Sequence, residues 1–146
     1  MRFTAILASA LALFASTAMY AADTQRSQSA PDLAAVRAKI KAKEFASARD
    51  ELLKLADTHE HADVYNLLGF SLRKTGDYKR ALTYYQKALD FDPKHLGALE
   101  YLGELYVETK QLEKAKAQLA KLVELCPQGC EERDDLEKAI AGAKPD

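Results

Sequence analysis

The feature that most constrains this chain is a segment that recurs after 34 residues. The stretch LLGFSLRKTGDY, which begins at Leu67, aligns with YLGELYVETKQL, which begins at Tyr101. The same offset relates Ala81 to Ala115 further along the chain. A repeat of this length is typical of a supersecondary unit that buries its apolar face only by stacking on its neighbours. We therefore expect a row of similar units.

Each copy has the pattern of two helices joined by a turn. The chain is rich in Ala, Leu, Lys and Glu and has only four prolines and six glycines, which favours an all-helical fold. Gly69 and Gly103 lie inside the first helix of their copies, although glycine there costs about 1 kcal/mol relative to alanine. In the turn KTGDY, Gly76 can adopt a positive φ and Asp77 can cap the following helix. We expect the missing Cβ atoms to let the second helix approach closely, against small residues at Ala81, Ala88 and Ala115.

These residues resemble the tetratricopeptide repeat, whose pattern of Trp, Leu-Gly, Tyr, Ala, Phe and Pro forms a helix-turn-helix. In the first copy Tyr65 replaces the tryptophan, Leu72 the tyrosine and Tyr85 the phenylalanine. The resemblance implies an all-α, tetratricopeptide-repeat α-solenoid of about three helix-turn-helix units plus a C-terminal capping helix. The positions that it assigns to repeat packing are Tyr65, Leu68, Gly69, Ala81, Tyr85, Ala88, Pro93, Leu102, Gly103, Tyr106, Ala115 and Pro127.

The repeat also suggests how the chain is divided. A degenerate copy at 32–60 lacks the Leu-Gly pair but keeps Phe45, Ala48 and Leu52 at the matching positions. Leu136 and Ile140 are spaced as on one face of a terminal helix. We expect a tetratricopeptide domain at 32–142, made of the degenerate repeat at 32–60, repeats at 62–95 and 96–129, and a capping helix at 130–142. The polar residues 23–31 are expected to form a flexible leader.

Residues 1–22 have the layout of a secretory signal peptide. Arg2 precedes an apolar run from Phe3 to Ala15, and small residues follow up to Ala22. We expect cleavage after Ala18 or Ala22, no membrane insertion of the mature chain, and a periplasmic or secreted protein. An uncleaved anchor is the alternative, because residues 3–22 carry no charge.

Composition and motifs argue against several functions. The net charge of −1 gives no basic surface for nucleic acid. The chain has no phosphate-binding glycine loop and no serine nucleophile elbow, so we expect a protein that is not an enzyme and needs no cofactor. His59, His61 and His95 lie at junctions between repeats and do not have the spacing of a metal site.

The resemblance implies that a partner polypeptide binds in a concave groove lined by the first helices. Glu100, Glu104 and Glu108 form an acidic stripe at i, i+4 and i+8. This stripe favours a partner that is basic or amphipathic, with an apolar contact at Phe70, although a solvated face is the alternative. Self-association is also possible. The residues assigned to the groove are Asp63, Asn66, Phe70, Arg73, Lys74, Gly97, Glu100, Glu104, Val107 and Glu108.

Cys126 and Cys130 flank the turn residues of CPQGC. In an exported protein with two cysteines, this spacing favours an intrachain disulfide that joins the last repeat to the capping helix. The alternative is a redox or copper-handling protein that acts through the same pair.

Overall fold

The computed structural model describes residues 30–143, and this part of the chain is entirely helical apart from short connections. The predicted signal peptide at 1–22 and most of the predicted leader lie outside the described residues. The helices in order are α1 (Ala34–Lys41), α2 (Phe45–Ala56), α3 (Ala62–Lys74), α4 (Tyr78–Phe91), α5 (Leu96–Glu108), α6 (Leu112–Leu125) and α7 (Glu131–Ala141).

Consecutive helices form three hairpins, α1–α2, α3–α4 and α5–α6, and α7 packs against both helices of the last one. The second helix of one hairpin also contacts the first helix of the next, as in α2 with α3 and α4 with α5. The predicted all-α solenoid is therefore confirmed. The degenerate first repeat forms the α1–α2 hairpin, and α7 occupies the place of the first helix of a further unit.

The three hairpin turns share one backbone feature. Gly76 has φ of 84° between α3 and α4, and Lys43 and Lys110 occupy the same position of the other two turns with φ of 61° and 59°. A left-handed residue ends a helix and reverses the chain, and glycine adopts this conformation with the least strain. Asp77 caps α4, because its carboxylate accepts a hydrogen bond of 3.1 Å from the Arg80 amide. The turn predicted for KTGDY is present.

The core is built from apolar side chains on the facing surfaces of successive helices. The α1–α4 part buries Leu52, Leu68, Leu72 and Tyr85 completely. The carboxyl-terminal part buries a second cluster of Leu99, Leu122 and Leu136. Ala81, Ala88 and Ala115 are each fully buried, as small residues at helix contacts should be.

The two helix glycines make room for different neighbours. A Cβ on Gly69 would lie 2.7 Å from the ring of Tyr85 on α4, so this glycine does admit the second helix of its own hairpin. A Cβ on Gly103 would instead lie 2.4 Å from the side chain of Leu136 on α7. The nearest neighbour of Gly103 is therefore on α7, whereas the repeat pattern pointed to the second helix of its own unit. Leu136 reaches this position because α7 packs across α5.

Among residues 30–143, no helix is both long enough and apolar enough to cross a membrane.

Candidate functional site

One open pocket of about 280 Å³ involves the first helix of every hairpin. Its walls come from α1, α3 and α5, and α7 closes one side. The lining residues are Arg37, Asp63, Asn66, Leu67, His95, Gly97, Glu100, Tyr101, Glu131, Glu132 and Asp135. A pocket bordered by four helices from different units forms only when the hairpins stack, so it is a property of the whole array.

The pocket is acidic. Five of its lining residues carry carboxyl groups, against one arginine and one histidine. Both of those bases face Asp63, since His95 Nε2 lies 3.0 Å and Arg37 Nη2 3.9 Å from the Asp63 carboxylate. The carboxylates on the α5 and α7 side are therefore left without a lining base next to them.

Glu100 is the most deeply placed of these acids. Its residue is only 8% exposed, and it forms no ion pair or hydrogen bond through its side chain with any of residues 30–143. Burial raises the pKa of Glu100 to about 8, and the nearby charges of Glu104, Asp135 and Glu132 act in the same direction. Arg73 lowers that pKa but is outweighed. Near neutral pH this carboxyl group is therefore largely protonated.

Asn66 adds a second unsatisfied polar group to the pocket wall. Its residue is 5% exposed and its Oδ1 has no hydrogen-bond partner within the described part of the chain. Gly97 leaves space for this amide, because a Cβ at that position would lie 3.2 Å from Asn66 Nδ2. A buried amide oxygen without a partner is costly, so it favours a ligand that donates a hydrogen bond.

Arg73 lies beside the pocket and is not exposed to it. Its side chain is 1% exposed and donates to Glu104 Oε2 at 2.5 Å and to Glu108 Oε1 at 2.8 Å. The guanidinium also lies 5.6 Å from the ring centre of Phe70 and 5.7 Å from that of Tyr101. Two of the three stripe glutamates thus have an internal cation between α3 and α5, and only Glu100 is left unpaired.

The remaining predicted groove residues divide between this cluster and the core. Phe70 is half-buried, 4.8 Å from the Tyr101 ring and 6.0 Å from the Phe45 ring. Exposed Lys74 places its ammonium 5.3 Å from the Phe70 ring centre. Val107 packs against the hydrophobic core. The structure thus brings Asp63, Asn66, Gly97 and Glu100 together in the pocket and groups Phe70, Arg73, Lys74, Glu104 and Glu108 next to it.

Some lining residues were not predicted from the sequence. Arg37, Tyr101 and the acids of α7 were not assigned to the groove. Glu131 lies in the first turn of α7, and Asp135 lies one turn later. The repeat carried a signal for this contribution, because a further offset of 34 residues from Gly97 reaches Glu131. His95, assigned to a junction, caps α5 through Nδ1, which accepts from the Ala98 amide.

The cysteine pair lies in the connection between α6 and α7. The two Sγ atoms are 2.11 Å apart and the Cα atoms 6.0 Å apart. Cys126 directly follows α6, and Cys130 directly precedes α7. Within residues 30–143, no three His, Cys, Asp or Glu side chains are grouped so that they could hold a metal ion.

Comparison with known families gives two matches. Family models described as tetratricopeptide repeat match residues 33–95 and residues 72–140. Together these matches cover all seven helices apart from the final residue of α7.

Sequence relatives match over shorter segments. A 65-residue stretch is 40% identical to the uncharacterised protein ycf37 of Guillardia theta. This stretch makes up 44% of the present chain and 36% of that protein. A 73-residue stretch is 33% identical to the BBSome complex member BBS4 of Bos taurus, covering 50% of this chain and 14% of that protein. The matched segment thus spans only about a third of the ycf37 relative.

Two solved structures with the same fold are bound to peptides. The first TPR of Spaghetti (RPAP3) bound to the HSP90 peptide SRMEEVD has a TM-score of 0.65 at 18% identity, covering 73% of this chain and 86% of that one. The Yersinia enterocolitica type III secretion chaperone SycD, in complex with a peptide of the translocator YopD, has a TM-score of 0.63 at 17% identity, covering 75% and 83%. At these identities the likeness concerns the fold.

Proposed function

Because the chain belongs to the tetratricopeptide repeat family, we propose that it is a protein-interaction module, without catalytic activity, that binds a partner polypeptide across its first helices. The observation that carries this proposal is the pocket bordered by α1, α3, α5 and α7. Binding sites are concave and combine apolar or aromatic surface with a few polar groups. Tyr101 and Leu67 supply the former here, and the carboxyl groups supply the latter.

Charge favours a basic or amphipathic partner. The pocket has five acidic side chains, and its two bases both face Asp63. Opposite charge on a partner would accelerate association and disfavour acidic competitors. The peptide SRMEEVD in the structural neighbour contains three acidic residues. A peptide of that charge would meet carboxylates in this pocket, so we propose a ligand of the opposite charge.

Selection of random peptides on the purified protein tests the proposed function. We expect enriched peptides to bind and to shift amide resonances of α3, α5 and α7 in nuclear magnetic resonance titrations. Glu132→Lys reverses a half-buried pocket charge, and we expect it to weaken these peptides at least tenfold. Glu124→Lys makes the same change on an exposed position of α6, outside the pocket, and should leave binding unchanged. Selected peptides that shift only α2, α4 and α6 would contradict a site on the first helices.

We also propose that this module works after export to the periplasm or outside the cell. The support is the basic, apolar and small-residue pattern of residues 1–22. Expression of the full chain in a bacterial host, followed by mass spectrometry of the envelope fraction, should give a product that begins after Ala18 or Ala22. Recovery of the intact chain in the cytoplasm would contradict export.

A further inference from the structure

We propose that the acidic pocket recognises the guanidinium group of one arginine side chain of the partner polypeptide. This inference rests on the proposed function and adds to it the chemistry of the recognised residue. It identifies Glu100 and Asn66 as the residues that contact the guanidinium, with Glu132 and Asp135 completing the negative surroundings.

The first argument is that Glu100 lacks the partner that a buried acid requires. It is 8% exposed and has no cation paired with it among residues 30–143, whereas Glu104 and Glu108 are both paired with Arg73. Removing a carboxyl group from water without compensation is unfavourable, and a cation that enters the site repays this cost. Of these three glutamates, only Glu100 borders the pocket, and it is also the one without a paired cation.

The second argument distinguishes arginine from other cations. Asn66 Oδ1 is a buried acceptor without a partner, and acceptors on α3, α5 and α7 surround the same space. A guanidinium has five donors in a planar fork, whereas a lysine ammonium is a compact point charge. Tyr101 also borders the pocket and places an aromatic side chain beside these acceptors. Several separated acceptors and a ring therefore suit arginine better than lysine.

The third argument concerns size and source. Pockets for drug-sized ligands run to about 300–1,000 Å³, and this one holds about 280 Å³, which suits a single side chain. The pocket carboxyl groups are not grouped as a metal ion would require. Next to the pocket, Phe70 and Lys74 extend along the same helices, so a chain that inserts an arginine can continue over them. We therefore assign the guanidinium to a polypeptide and not to a free metabolite.

The test uses three blocked peptides with the same alanine-rich sequence and one variable central residue: arginine, citrulline or lysine. Citrulline keeps the shape of arginine but is neutral. Titration of the isotope-labelled protein at pH 8 should show saturable shifts of the Gly97 amide and the Asn66 side-chain amide with the arginine peptide. We expect at least tenfold weaker binding with citrulline and about threefold weaker binding with lysine.

Two variants locate the contact. Glu100→Gln keeps the size of the side chain and should weaken the arginine peptide about tenfold. Glu124→Gln removes the same charge from an exposed position of α6 and should leave the affinity unchanged. A circular dichroism spectrum of each variant shows that it is folded.

The outcomes separate this inference from the proposed function. Equal affinity for arginine and citrulline, or no effect of Glu100→Gln, would overturn arginine recognition even if selected peptides bind the first helices. Agmatine, a free guanidinium compound, is included as a competitor. If it binds as tightly as the arginine peptide, a polypeptide source is overturned. If lysine matches arginine, a guanidinium-specific site is overturned.

Discussion

The unpaired acid in the pocket leads to a prediction about stability. Relative to the wild type, the Glu100→Gln variant should become more stable as the pH rises. Burial raises the pKa of Glu100 from 4.5 to about 8, with Glu104 on its own helix and Asp135 and Glu132 on α7 adding to the effect, and Arg73 on α3 opposing it. Between these values the unfolded chain has the ionised carboxyl group and the folded chain keeps the proton. The folded state therefore loses stability as the pH increases through this window.

The magnitude follows from the two pKa values. Each pH unit between them corresponds to about 1.4 kcal/mol. Glu100 should therefore destabilise the fold by about 1 kcal/mol at pH 5 and about 3 kcal/mol at pH 7. Glutamine cannot ionise, so the variant avoids this penalty and differs from the wild type by the cost of its buried amide. That cost does not depend on pH, so the comparison between pH 5 and pH 7 removes it.

The assay is urea unfolding followed by far-ultraviolet circular dichroism at pH 5, 6, 7 and 8. We expect the stability difference between Glu100→Gln and the wild type to increase by about 2.5 kcal/mol from pH 5 to pH 7. Glu124→Gln, on the exposed surface of α6, serves as the matched control and should show no such trend. Tyr101 and Arg73 stay unchanged in both variants, so differences between them report the position of the removed carboxyl group.

A stability difference that is constant from pH 5 to pH 8 would refute the reasoning, because it would mean that Glu100 ionises normally in the folded protein. The same result would show that the carboxyl group is hydrated or paired in solution. If the trend appears and Glu100→Gln also weakens the arginine peptide, one side chain reduces stability and promotes binding. Such opposite effects are expected of residues that serve a ligand.

Four further changes test the packing. Gly103→Ala should destabilise by about 1–3 kcal/mol in thermal unfolding, because the new Cβ would lie 2.4 Å from Leu136 and displace it; an unchanged midpoint would show that α7 does not pack on this glycine. Lys43→Gly should stabilise by about 0.5–1 kcal/mol by relieving a φ of 61°; destabilisation would contradict this turn geometry. Arg73→Met should destabilise by about 2–4 kcal/mol at neutral pH, because Glu104 and Glu108 lose their common cation; an unchanged unfolding midpoint would contradict these ion pairs. Replacing Cys126 and Cys130 by serine should lower stability by about 2 kcal/mol if they form a disulfide; free thiols in the oxidised protein, together with tight copper binding, would support the redox or copper alternative.

Much of the fold could be predicted from the sequence, because the repeat pattern specifies contacts and turns within each hairpin. Gly69, Gly76 and Asp77 each have a role set by their own hairpin, and the structure places them as expected. The nearest neighbour of Gly103 was not predicted in the same way, because it lies on α7 and not within the hairpin that contains Gly103. A local pattern predicts contacts within a unit better than contacts made with the end of the array.

The candidate site was harder to predict. Its properties depend on which polar side chains are buried, and the repeat pattern does not specify this directly. Asp63, Asn66 and Glu100 were assigned to the groove by their helical register, and all three line the pocket. The register could not show that Arg73 would be 1% exposed or that α7 would close one side with Asp135. These features arise from the angles between helices, which a single sequence does not specify.

The acidic stripe shows how one periodic pattern can contain two kinds of residue. Glu104 and Glu108 share Arg73, so their charges are compensated inside the molecule and their loss should act on stability. Glu100, four residues earlier, points to the pocket and has no such cation. Reversing the charge of both Glu100 and Glu104 would therefore confuse unfolding with loss of binding. A change at Glu100 alone, or at Glu132 on the facing helix, separates the two effects. Either change should alter the preference for a basic partner while the α3–α5 ion pairs remain intact.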